Sequence, residues 1–388
     1  MISKKVILSV IVFSQFCCTS LWFVGNAIIV DLINNFNLKP SALGDLASAI
    51  QFGFILGTFI YAILTISDRF SPSKVFFVSA LVASAFNVSI VFTTHSLYSL
   101  FVFRFLTGFF LAGIYPVGMK IASDYYEKGL GKSLGLLVGA LVLGTAFPHV
   151  LKSFENVMVW KHMLYITSGL AVFGGVLILL LVPDGPFKKA LQKFDISVCY
   201  KIFKIKKFRY AAFGYFGHMW ELYTFWAFIP VLLKLYTESY ANVDFNISLL
   251  SFYVIAVGSL GCYASGYLSE KFAPKKIAGL SLTLSGICCL VSPLFFILNQ
   301  EYIFVSFLMF WGVVVIADSP LFSTLVAQNV ETELKGTALT IVNSIGFAIT
   351  IVSIQVMNCL QTFVAAKYLF LILAIGPILG VLALYKKN

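Results

Sequence analysis

The chain of 388 residues is 60% hydrophobic and only 11% charged. A water-soluble protein of this length needs far more charge to cover its surface, so an enzyme with a folded soluble catalytic module is excluded. The formal net charge of +11 invites a nucleic-acid partner, but the placement of the basic residues assigns them to a membrane surface instead.

Apolar runs of about 20 residues, enough to cross a bilayer, recur along the chain. They predict twelve spans, at 6–33, 41–66, 75–94, 97–123, 131–154, 160–182, 208–235, 246–268, 277–298, 301–327, 336–358 and 364–385. Met1–Lys5 and the apolar run behind it imitate a secretory signal. That run continues past Val30 with no A-x-A-like site, and the residues before Cys17 are not those of a lipoprotein site, so the segment reads as span 1.

Between spans 2 and 3 stands Ser67–Lys74, SDRFSPSK. Span 4 carries Arg104 in its interior and Lys120 nearer its end. Lysine is the chain's usual cation, and Arg69, Arg104 and Arg209 are its arginines. An arginine inside a span therefore points to a need for the planar, always-charged fork. Two roles are open for it: binding a carboxylate or phosphate on a solute, or pairing with helix-end carbonyls or a neighbouring acid. Gly131-Lys132-Ser133, opening span 5, looks like the tail of a phosphate-binding loop. The position that would need the first glycine is Tyr126 and no strand precedes it, so no nucleotide site is read there. His149 lies near the end of span 5.

Pro183–Arg209 is the longest polar interval, with Asp184 and Asp195 as its acids, and it separates six spans from six. The expected organisation is a six-helix bundle at 1–183, a cytoplasmic linker at 184–207 and a second six-helix bundle at 208–388. Asp195–Lys206 has the pattern of a short amphipathic helix on the inner leaflet. Most of the 27 lysines and arginines fall on the loops that share a side with the N-terminus. This bias orients the chain with both termini cytoplasmic.

Span 7 contains His218 and Glu221, three residues apart and so on one helical face. An ionisable group inside a span costs roughly 2.5–3.5 kcal/mol on insertion scales, so each demands a reason. An acid at that depth can load a proton from one side and release it to the other, and histidine titrates near neutrality. The two form a proton-coupling pair, or a neutral hydrogen-bonded pair that only packs the bundle. Span 10 is interrupted by Asp318-Ser319-Pro320, because proline removes a backbone donor. Asp318 is either a cap for the inner half-helix or a second proton or cation site beside a broken helix.

Two internal copies are visible. Ser269–Lys276, SEKFAPKK, repeats the first octet 202 residues later. A shift of 204 places Trp22 on Trp226 and Pro116 on Pro320, and a shift of 205 places Gly131 on Gly336. Spans 1 and 7, 4 and 10, and 5 and 11 are therefore equivalent, and elements so related surround the solute in repeat-built transporters. Ser14 and Cys17 occupy the places of His218 and Glu221, so the acid is an addition to one half. Trp22, Tyr115, Trp226 and Trp311, on these pairs, are expected to line the cavity walls, although aromatic stripes more often pack helices. The seven cysteines form no CxxC pair and read as small packing residues, with neither a metal site nor a disulfide framework. GxxxG spacings at Gly53/Gly57, Gly131/Gly135/Gly139 and Gly376/Gly380 read as close helix packing.

The six-plus-six layout, the long middle loop and the octets make the chain resemble the major facilitator superfamily over essentially its whole length. Asp68 and Arg69 match that family's loop between spans 2 and 3, with Leu64 and Ser71 at positions where glycine is usual. In the second copy Gly266, Leu268, Glu270, Lys271, Lys275 and Lys276 fit better. Arg104-x-x-x-Gly108 is similar to its span-4 signature, whose arginine often belongs to the coupling machinery. The span-5 G-P-x-x-G-G element of proton antiporters is missing, which favours import. Gly217–Tyr223 and Ala317–Pro320 resemble a bacterial branch sometimes labelled nitrate/nitrite-porter-like. The arginines that nitrate porters carry on spans 2 and 8 are absent, so nitrate is not carried over.

The resemblance implies an all-α polytopic fold of two pseudo-symmetric bundles, a monomer without cofactor or metal, set in a bacterial inner membrane. The expected function is alternating-access transport of a small organic anion or zwitterion by proton symport. Arg104, Trp22, Tyr115, Trp226 and Trp311 are then expected at the solute, Glu221, His218 and Asp318 in proton coupling, and Asp68, Arg69, Glu270 and Lys271 in gating. The alternatives are proton-coupled efflux of an amphipathic compound or metallophore, and a non-transporting membrane receptor. An intramembrane enzyme would need a nucleophile–base set or an H-E-x-x-H cluster, and neither occurs.

Overall fold

The computed structural model describes residues 4–92, 96–125, 130–154, 158–187, 198–331 and 334–386. Lys128, Lys188, Lys189, Lys193 and Asp195 lie outside the described residues, as does the side chain of Cys199. Every regular element among the described residues is a helix. In hydrocarbon a backbone must satisfy its own N–H and C=O groups, and long apolar runs do so as helices. The chain divides into two compact units, Met1–Ile196 and Ser197–Asn388.

Among the described residues, eleven segments are long and apolar enough to cross a membrane. The twelfth expected span, span 7, is the 34-residue helix Lys206–Ser239. At 1.5 Å per residue it is about 51 Å long, ample for a bilayer. It falls outside the eleven because Lys206, Lys207, Arg209, His218, Glu221 and its tyrosines dilute its apolar character. The amphipathic stretch expected at Asp195–Lys206 is represented among the described residues by the short helix Val198–Lys204.

Several spans are broken. Span 1 ends at Ala27 and is followed by a separate helix, Ile29–Phe36. Span 4 consists of Leu97–Leu111 and Tyr115–Tyr125, and span 10 of Glu301–Ala317 and Ser319–Gln328. In spans 4 and 10 the repeat-related proline, Pro116 or Pro320, is the second residue of the following helix, where a missing N–H leaves no bond unmade. The interruption expected in span 10 is therefore present in its partner as well.

Spans 2 and 4 approach backbone to backbone. A Cβ added at Gly53 would lie 1.9 Å from the carbonyl oxygen of Phe105, and one at Gly108 would lie 2.0 Å from that of Ile50. Two reciprocal glycines thus hold the helix that carries Arg104 in place. Gly108→Ala is expected to force the pair apart and lower stability by about 1–3 kcal/mol, the usual cost of overpacking, read as a fall in the unfolding temperature of the purified protein. Spans 7 and 12 meet in the same way in the second unit, at Gly217 and Gly376.

Candidate functional site

Glu221 is buried at 1% exposure in the second unit. Its Oε1 accepts from the indole Nε1 of Trp311 at 2.7 Å and from the thiol of Cys289 at 3.3 Å, while its Oε2 accepts from the hydroxyl of Ser285 at 2.8 Å. Ser285 and Cys289 are four residues apart on span 9, so both reach it from one helical face. The indole is held by Phe225, Phe307 and Phe370, with ring centroids at 4.5, 5.5 and 6.0 Å. Among the described residues, three donors and no cation surround the carboxyl.

His218 does not bond Glu221. Its Nδ1 lies 2.8 Å from Oδ1 of Asp318, with both side chains 1% exposed. A shared helical face does not make a pair: span 10 approaches span 7 closely enough at Asp318 to take the imidazole. Asp318 is the residue between the two halves of span 10, but its side chain makes no capping bond to the second half. The backbone does that job, since the amides of Leu321 and Phe322 bond the Asp318 carbonyl at 3.0 and 2.9 Å. The capping role is thus replaced by the pairing with His218. Nε2 of His218 and Oδ2 of Asp318 are buried with no hydrogen-bond partner among the described residues. The unit therefore encloses two acids and a histidine, arranged as one His–Asp pair and one separately cradled Glu.

Arg104 is buried in the first unit at 1% exposure. Its NH1 donates to the Leu21 carbonyl at 3.0 Å and its NH2 to the Trp22 carbonyl. A Cβ at Gly25 would lie 2.9 Å from Nε, so glycine there makes room for the guanidinium. No acid pairs with Arg104 among the described residues. In this structure the fork joins span 4 to span 1 through the Leu21 and Trp22 carbonyls.

The aromatic residues expected at a solute divide. Trp311 is spent on Glu221, and Trp22 and Trp226 are fully buried, packed on Phe54 at 4.8 Å and Tyr223 at 5.3 Å. Tyr115 is half-buried at the start of the second half of span 4. Among the described residues no group of three or more His, Cys, Asp or Glu is arranged to hold a metal ion. Ser285 and Cys289 escaped the sequence reading, since a serine or cysteine in an apolar helix most often packs. Their four-residue spacing was the available signal.

A profile of the Major Facilitator Superfamily matches residues 11–354. The chain belongs to the major facilitator superfamily. It is thus a multi-pass membrane protein and a secondary transporter rather than an enzyme. The fold is similar to that in the crystal structure of the human organic anion transporter MFSD10 (TETRAN), with a TM-score of 0.77 at 11% identity, over 99% of this chain and 100% of that one.

In this superfamily member the first octet is tied into its own unit. Asp68 forms an ion pair with Lys120 at the end of span 4, and Arg69 donates to the Thr65 hydroxyl at 3.0 Å. Ser71, standing where the family usually has glycine, donates to Asp184 at 2.7 Å, and Ser73 bonds the Val182 carbonyl. The second octet is looser. Glu270 and Lys271 are exposed, Glu270 makes no ion pair among the described residues, and Lys271 lies over the Tyr267 ring at 5.2 Å.

Proposed function

We propose that this transporter imports a small organic anion or zwitterion together with protons, and that Glu221 and the His218–Asp318 pair carry the coupling. The supporting observation is a charge imbalance. Among the described residues, the buried groups of the second unit comprise two acids and at most one cation. When His218 is protonated it balances Asp318, and Glu221 is left as an unneutralised charge that a single proton removes. In a low-dielectric interior an unpaired charge is costly, so a proton on Glu221 and the conformational cycle bias each other.

Arg104, a buried cation without an acid partner among the described residues, favours a solute bearing a negative group. The similarly folded human protein is an organic anion transporter, in agreement with that class. Tyr115, half-buried on span 4, completes the proposed solute-facing set; Trp22, Trp226 and Trp311 are packed inside their own units and are left out of it. The proposed architecture is bundles at 1–183 and 208–388, joined by a linker at 184–207. Asp68, Arg69, Glu270 and Lys271 gate it from the cytoplasmic side. A monomer in a bacterial plasma membrane with both termini inside, and kinship with the nitrate/nitrite-porter-like branch, belong to the same reading.

The test is thermal unfolding of the purified protein with a panel of mono- and dicarboxylates, amino acids and sugar acids, at acid and at neutral pH. A ligand that binds the proton-loaded form stabilises more at acid pH, because binding and protonation are linked. A ligand whose stabilisation is the same at both would remove proton coupling from the account. If uptake of the ligand into proteoliposomes runs against proton entry, the direction becomes efflux.

A further inference from the structure

The two oxygens of Glu221 are not equivalent. Oε1 faces two donors, and one of them, the indole N–H of Trp311, can only donate. The three aromatic rings around that indole keep it from turning away. A proton on Oε1 would therefore be aimed at the Trp311 hydrogen. Among the described residues, Oε2 faces only the Ser285 hydroxyl, at 2.8 Å. A hydroxyl both donates and accepts. Ser285 Oγ also lies 3.2 Å from the carbonyl oxygen of Leu282, one turn back on its own helix.

We infer that Ser285 is the positioning residue that lets Glu221 gain and lose its proton without leaving its cradle. With the carboxylate charged, the Ser285 hydroxyl donates to Oε2. With the acid neutral, the proton sits on Oε2 and is donated to Ser285 Oγ, whose own hydrogen turns to the Leu282 carbonyl. Each state has every polar atom satisfied, and the change between them is one hydroxyl rotation. No bond other than the O–H on Oε2 forms or breaks, and the proton is the one exchanged during coupling. Without such an acceptor, the buried acid O–H would be left unmade, which costs more than a hydrogen bond contributes when formed. Cys289 cannot substitute, because its sulfur is a weak acceptor and sits against Oε1.

The other titratable groups near this carboxyl do not offer an acceptor to Oε2. On span 10 there is Asp318, which engages His218 of span 7. On span 9 there are Cys288 and Cys289, and on span 8 Cys262, which faces the Ile316 carbonyl and Asp318. Spans 11 and 12 meet this stretch of span 7 with Thr350, Ser353 and the Ile372 carbonyl, none of which titrates.

This inference rests on Glu221 as proton carrier, and one experiment separates the two. Infrared difference spectra between acid and alkaline pH are recorded on the purified protein, on Glu221→Gln, and on Ser285→Ala and Ser285→Thr. The carboxylic C=O band that disappears in Glu221→Gln belongs to this group. In Ser285→Ala that band is expected to move to higher wavenumber, as an acid with no acceptor does. In Ser285→Thr, which keeps the hydroxyl, it stays at the wild-type position. Proton-linked uptake is expected to slow about tenfold in the alanine variant and recover in the threonine variant, the scale of one buried hydrogen bond left unmade. Should the alanine variant fail to fold, Ser285→Cys, with a poor acceptor, must shift the band in the same direction. A Glu221 band unmoved by either substitution overturns the role of Ser285 and leaves Glu221 as carrier. No Glu221-dependent band in the wild type overturns both.

Discussion

Accumulation of the solute against its gradient is expected to vanish in Glu221→Gln, while exchange of labelled for unlabelled solute survives. The amide matches the carboxyl in shape. Its oxygen still accepts from Trp311 and its NH2 donates to Ser285 Oγ, so the cradle of spans 7, 9 and 10 stays closed. Only the titratable proton is gone. A driven cycle needs that proton to bias one direction, whereas exchange needs only the solute-loaded protein to reorient. The measurement is uptake into proteoliposomes with and without an imposed pH gradient, using the solute identified by thermal unfolding. Wild-type uptake should respond to the gradient and the variant should not. Accumulation undiminished in the variant would move the coupling to His218–Asp318 or out of this unit.

Arg104→Lys is expected to destabilise the protein even with no solute present. The guanidinium spans two successive carbonyls of span 1, at Leu21 and Trp22, and fits against Gly25. A single ammonium cannot hold both in that geometry. Losing one charge-assisted bond corresponds to about 1.5–3 kcal/mol, read as a lower unfolding temperature in the absence of ligand. Uptake should fall with it, because spans 1 and 4 are no longer held in register. Unchanged stability with lost uptake would remove the structural role and leave Arg104 to the solute alone.

Much of this site is legible in the amino-acid sequence. Glu221, His218, Asp318 and Arg104 stand out because ionisable groups in apolar spans are costly, and the structure buries all four at 1% exposure. Pro320 located the break in span 10, and the structure shows the same break in span 4 at the repeat-related Pro116. What could not be read was which group meets which. His218 and Glu221 share a helical face, yet one meets span 10 at Asp318 and the other meets spans 9 and 10. That outcome is set by how helices pack, and spacing within one helix carries no information about it. Ser285 and Cys289 were hidden for the same reason: their polarity matters only because Glu221 lies opposite. The asymmetry between halves, by contrast, could be read directly. Ser14, Cys17 and Ile114 occupy the repeat positions of His218, Glu221 and Asp318, and Leu308 that of Arg104. The repeat built a scaffold, and each half then received its own charge.

The central claim is that solute and proton cross together through the buried acids of the second unit. Its most direct test is a pH indicator trapped inside proteoliposomes that hold the purified wild-type protein, to which the solute is added outside with no imposed pH gradient. The account predicts that solute entry acidifies the interior and that Glu221→Gln abolishes the acidification. Solute entry with no change of internal pH in the wild type would contradict it.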